Sequence, residues 1–121
     1  MKTKNRRIEI NAWKRSLDYM ADENILMKNR ISEILRDEFD KSDLPKLEEY
    51  HSLILKEEDF LNLIRHNLAD LTAPHLNSTS SEEGYSKEDG FYFNLKVQIE
   101  TALLRFNKLK IGFYSFMSER T

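Results

Sequence analysis

The sequence predicts an all-α fold, an antiparallel up-down-up bundle of three long helices with coiled-coil-like heptad packing. Three observations carry that expectation. Apolar residues recur in alternating steps of three and four through three separate segments, a spacing that keeps every member on one stripe of an α-helix. Two stretches of turn-forming residues separate the segments. The 121 residues, 40% hydrophobic and 33% charged, suffice for a single domain (1–121) around one core.

The first segment, expected to be helical over about 8–39, carries the stripe Ile10, Trp13, Leu17, Met20, Asn24, Met27, Ile31 and Ile34. One member, Asn24, is polar. The rhythm lapses at Asp40 to Asp43, where Ser42 or Asp43 can cap the next helix. Pro45 then falls in a first turn, where its missing N–H costs nothing, and Glu48 and Glu49 lie near the positive end of the helix dipole. So short a connection makes the first two helices antiparallel neighbours.

The second helix, expected over 44–72, presents Leu47, Tyr50, Ile54, Glu57, Leu61, Ile64, Leu68 and Leu71, again with one polar member, Glu57. After it comes a stretch, about 73–86, rich in Ser, Thr and Asn, which reads as the one long, flexible loop. Ser86 followed by Asp89 resembles a capping box and places the start of the third helix near 87, with Gly90 weakening its first turn. That helix, expected over about 87–118, carries Tyr92, Leu95, Ile99, Ala102, Phe106, Leu109, Phe113 and Phe116. Pairing the helices by loop position sets Asn24 level with Glu57 to Phe60, and Glu57 level with Ala102. Asn24 and Glu57 are thus expected to form a polar layer in the core, where Glu57 must meet Asn24, bind an Arg or escape to solvent, because an unpaired buried carboxylate is costly.

The third helix carries more apolar surface than two neighbours can cover. Phe93, Leu104, Ile111, Tyr114 and Phe116 are therefore the candidate interaction residues, facing a second copy or another helical partner.

Composition narrows the functional classes. With 19 Lys and Arg against 21 Asp and Glu, the chain has no net field that favours nucleic acid or an anionic membrane, and neither is expected as a partner. The absence of cysteine rules out disulfides, thiolate metal sites and thiol nucleophiles. Charges at Glu9, Lys14 and Arg15 interrupt any secretory signal, and no uncharged run approaches the length of a membrane span, so a cytoplasmic protein is expected. Asn77, Ser78 and Thr79 match a glycosylation acceptor but read as polar loop in that setting. Gly84, Gly90 and Gly112 form no phosphate-cradling loop, and no Ser or Thr sits in a glycine-flanked turn; no catalytic residue, no cofactor and no enzymatic activity are expected.

The histidines suggest two further readings. The string Arg65, His66, Asn67, Leu68 resembles the histidine-bearing helices of phosphotransfer domains and histidine-kinase dimerisation domains, and implies a phosphotransfer-like signalling bundle using His66 or His51. It departs from the kinase pattern at Asn67 and Leu71, where an acid and a Pro are usual, and neither histidine has both the Lys and the Gly of the phosphotransfer pattern. Glu48 and His51, three apart, form half of a di-iron carboxylate motif and suggest a metal-binding bundle as a third reading. The other half is missing, since His66 and His75 complete neither that motif nor a hemerythrin-like ligand set.

Overall fold

The computed structural model describes residues 2–37, 40–72 and 82–120. It is an all-α three-helix bundle: α1 spans Lys2–Arg36, a 3-10 turn spans Lys41–Asp43, α2 spans Leu44–Thr72 and α3 spans Glu82–Arg120. No strand occurs among the described residues.

The boundaries follow local chemistry where the sequence shows it and tertiary contacts where it does not. Asp40 caps the 3-10 turn that leads into α2: the Ser42 N–H donates to Asp40 Oδ1 at 3.0 Å and the Asp43 N–H to the Asp40 carbonyl at 2.9 Å. Pro45 lies in the first turn of α2 as expected. Helix α1 begins several residues before position 8 and ends at Arg36 instead of 39. Helix α3 begins at Glu82, so Ser86 lies inside it and residues 82–86 of the expected loop are helical; residues 73–81, and the flexibility expected there, lie outside the described ones. Contacts made further along offset the weak Gly90. Arg6 Nη2 of α1 stands 2.6 Å from Asp89 Oδ1, its guanidinium covers the Tyr92 ring at 4.4 Å, and Trp13 packs on Tyr92 with centroids 5.1 Å apart. Residues 89–92 of α3 are thus held against the N-terminal part of α1.

Cross-helix pairs define the topology. Asp18 meets Arg65 at 2.8 Å and Lys28 meets Glu58 at 2.8 Å, so α1 and α2 run antiparallel. Asn67 Nδ2 donates to Gln98 Oε1 at 3.2 Å, while Tyr50 packs edge-on to Phe113 at 5.6 Å, so α2 and α3 are antiparallel too. Tyr19 against Phe106 and Glu23 against Lys110 leave α1 and α3 parallel.

The three stripes close into one core. All the apolar stripe residues of α1 from Trp13 to Ile34 are buried, as are those of α2 apart from the half-buried Tyr50, and those of α3 from Tyr92 to Phe113. The departures lie toward the ends. Ile10 is half-buried, and near the C-terminus Met117 is buried while Phe116 is only partly so. An α-helix drifts about 20° per heptad against a strict seven-residue repeat, which is enough to exchange one neighbour for the next over a helix of this length.

Candidate interaction surface

Two polar residues interrupt the core. Asn24 is fully buried, and neither its Oδ1 nor its Nδ2 has a hydrogen-bond partner. The pairs Asp18–Arg65 and Lys28–Glu58 bring Asn24 level with Asp59 to Asn62 on α2, close to the expected register. Glu57 is also buried but turns to α3, where Arg105 Nε lies 2.8 Å from its Oε1; no hydrogen bond joins it to Asn24. The Arg105 guanidinium also sits over the Phe60 ring at 4.9 Å. Burial pushes the Glu57 carboxyl above its ordinary value, and Arg105 opposes that rise without cancelling it. Ala102 is fully buried but is not level with Glu57 as expected: the pairs Asn67–Gln98, Glu57–Arg105 and Tyr50–Phe113 set Glu57 about one turn further along α3. Such a cluster favours one register and has no open space in which to hold a substrate.

Lys110 of α3 is also committed to partners within the chain. Lys110 Nζ binds Glu23 at 2.6 Å and the Tyr19 hydroxyl at 2.7 Å, and the Glu23 bond is the main reason its ammonium is held well above the usual lysine range. A shallow cleft of about 350 Å³ between α1 and α2 is lined by Lys14, Asp18, Arg65 and Thr72 among others. Its Arg65 is already paired with Asp18. His51 is exposed, and the His66 side chain is 74% exposed with Nε2 3.6 Å from Asp70. Among the described residues no three His, Cys, Asp or Glu side chains converge on one point, and Glu48 and His51 are both exposed. His75 lies outside the described residues.

What α3 leaves open is a second apolar stripe. Phe93 is 57% exposed, Val97 60%, Leu104 75%, Ile111 69% and Tyr114 42%. With Glu100 and Asn107, also exposed, they step along the helix as 93, 97, 100, 104, 107, 111, 114, in alternating fours and threes. That is the core rhythm offset by two residues, and at 3.6 residues per turn it lies on the side of α3 roughly opposite the core. Four of the five interaction candidates, Phe93, Leu104, Ile111 and Tyr114, fall on it. Phe116 does not: it is half-buried and packs on Tyr50 at 5.7 Å, at the edge of the core. Val97, Glu100 and Asn107 escape the sequence reading, although testing α3 for a second repeat would find them. Exposed apolar residues on α1 and α2, such as Ile25, Leu55 and Leu63, form no such run.

Comparison with protein-family models, with curated proteins and with solved structures finds no match. Among the described residues no helix is long and apolar enough to cross a membrane.

Proposed function

We propose that the protein is a non-enzymatic cytoplasmic scaffold whose α3 packs against another helix through its outer stripe, and that a second copy supplies that helix. The observation that carries the reading is the stripe itself: five large apolar side chains in heptad register, between 42% and 75% exposed, on the face turned from both neighbours. Single exposed apolar residues are ordinary, but apolar side chains at five of the seven positions of one stripe, over about six turns of one helix, are what interaction faces look like. Light scattering at tens of micromolar should report twice the 14.4 kDa chain mass, and Ile111→Glu should return the monomer with its helicity intact. A 14.4 kDa particle for the unaltered chain would refute self-association.

The exposure of His66 supports a second reading, phosphoryl capture on its imidazole, with the Asp70 carboxylate one turn away. Acid-labile, base-stable phosphate on His66 after treatment with a small acyl phosphate would support it, and loss of that label in His66→Gln would assign the site.

A further inference from the structure

The outer stripe of α3 is close to a palindrome centred on Leu104. Seven residues before Leu104 stands Val97 and seven after it stands Ile111; four before it stands Glu100, and four after it, beside the stripe member Asn107, stands Lys108; near the two ends are the aromatics Phe93 and Tyr114. Leu104, at the midpoint, is the most exposed of the apolar members at 75%. From this symmetry we infer that two copies dock antiparallel along α3, with Leu104 on the twofold axis, an inference that rests on the self-association proposed above.

A twofold contact must be self-complementary, each residue meeting a partner that meets it in return. Parallel and antiparallel pairs satisfy this differently. In a parallel pair every residue of the stripe faces its own copy, so Glu100 meets Glu100 inside the seam, two desolvated carboxylates with no cation between them. In an antiparallel pair about Leu104 the two Glu100 side chains are set about 12 Å apart along the axis, at 1.5 Å per residue. Each then comes level with Lys108 of the other copy. Val97 comes level with Ile111 at both ends, and Leu104 meets Leu104 in the centre.

The charges that make this work are available. Glu100 and Lys108 are both exposed, and neither has an ion-pair partner among the described residues. Of the other cations of this segment, Arg105 and Lys110 are occupied by Glu57 and Glu23 within the same chain, and Lys96 is exposed one turn before Glu100. The stripe from Phe93 to Tyr114 is about 32 Å long. Five large apolar side chains from each copy along that length match the extent of a specific contact, which buries upward of roughly 1,000 Å².

The chain has no cysteine, so single thiols can be introduced without background. Leu104→Cys, Val97→Cys and Ile111→Cys, all at exposed positions, would be oxidised with copper–phenanthroline alone and as an equimolar mixture of the last two, after circular dichroism confirms unchanged helicity. The expected result is an efficient disulfide dimer for Leu104→Cys alone and for the Val97→Cys with Ile111→Cys mixture, and little for either of those two alone. Efficient self-crosslinking of Val97→Cys and of Ile111→Cys, with no mixed product, would establish the parallel pair and overturn the inference while leaving self-association standing. A dimeric mass with no crosslink at any position would also overturn it, because the copies then meet elsewhere. No crosslink together with a 14.4 kDa mass would remove both proposals.

Discussion

Gly112 and Tyr50 touch across the interface between α2 and α3: the Cβ that Gly112 lacks would stand 3.1 Å from the Tyr50 hydroxyl oxygen. A glycine in the middle of a long helix costs about 1 kcal/mol relative to alanine, so its presence calls for a reason. The Tyr50 ring supplies one. It lies edge-on to Phe113 at 5.6 Å and against Phe116 at 5.7 Å, so it has little freedom to retreat. Gly112→Ala should therefore bring no gain, or a loss, in the wild-type chain. Combined with Tyr50→Phe, which deletes the closest atom, the same substitution should gain about 0.5 to 1 kcal/mol from helix propensity. Urea titrations of the four chains in this cycle measure the coupling; equal effects of Gly112→Ala in both backgrounds would show that the contact is unimportant.

The Glu57–Arg105 pair predicts a pH dependence of definite sign. Burial raises the Glu57 carboxyl above its ordinary 4.5, so the folded chain holds that proton more tightly than the unfolded one. Its contribution to stability is therefore fully present below 4.5 and is lost as pH rises through the raised folded value. Glu57→Leu removes this penalty and should leave stability unchanged or raise it by up to about 3 kcal/mol at pH 7, with a smaller advantage over wild type near pH 4.5. Arg105→Ala should act in the opposite direction, leaving the carboxylate buried without its cation and steepening the loss toward neutral pH. A Glu57→Leu advantage larger in acid than at neutrality would contradict this account.

Phe106 is 1% exposed, with Tyr19 edge-on to it at 5.7 Å and the Lys110 ammonium 5.9 Å above its ring. Phe106→Ala removes the centre of that contact between α1 and α3. The expected cost is about 3 to 5 kcal/mol, a large share of the stability of a domain this size. Trp13, the single tryptophan, packs on Tyr92 in the core, so its fluorescence can follow the denaturant midpoint. A midpoint barely moved would show that Phe106 does not have this place in the core.

The sequence reveals the core because burial follows helical periodicity, a property of neighbours three and four residues apart. That is why Leu17, Ile54 and Phe113 are placed correctly from spacing alone. Leu103, which adjoins the stripe, is also expected in the core from its apolar character but is only half-buried, because an apolar residue beside a seam has the same local pattern whether or not a neighbour reaches it. Partner choice is harder still. That Glu57 would bind an Arg follows from the cost of a lone buried carboxylate, but that it is Arg105 depends on the alignment of α2 with α3 and on long, rotatable side chains. The start of α3 escapes the sequence because the signals at Ser86 and Gly90 are local, whereas the contacts of Arg6 with Asp89 and of Trp13 with Tyr92 are not. Of the candidate surface, Phe93, Leu104, Ile111 and Tyr114 are legible as a surplus of apolar residues. Phe116 does not belong with them, and its apolar character alone cannot say so, because only half a helical turn separates the core edge from the open face.

Asn24 is the least explained residue in the core by stability alone. Its amide is fully buried, and both polar atoms lack hydrogen-bond partners, a condition that costs about 1 to 3 kcal/mol relative to an apolar side chain of similar size. Asn24→Leu should accordingly stabilise the bundle by about that amount. A polar residue at a seam position is nonetheless useful, because it penalises every register that buries it more poorly, and its loss frees the apolar stripes to slide. The substitution should thus raise the denaturant midpoint while broadening the amide resonances of residues around Asn24 and Leu61, as alternative alignments become populated. A lower midpoint would mean that Asn24 makes a stabilising interaction in solution, and a higher midpoint with equally sharp resonances would show that the apolar stripes fix the register without it.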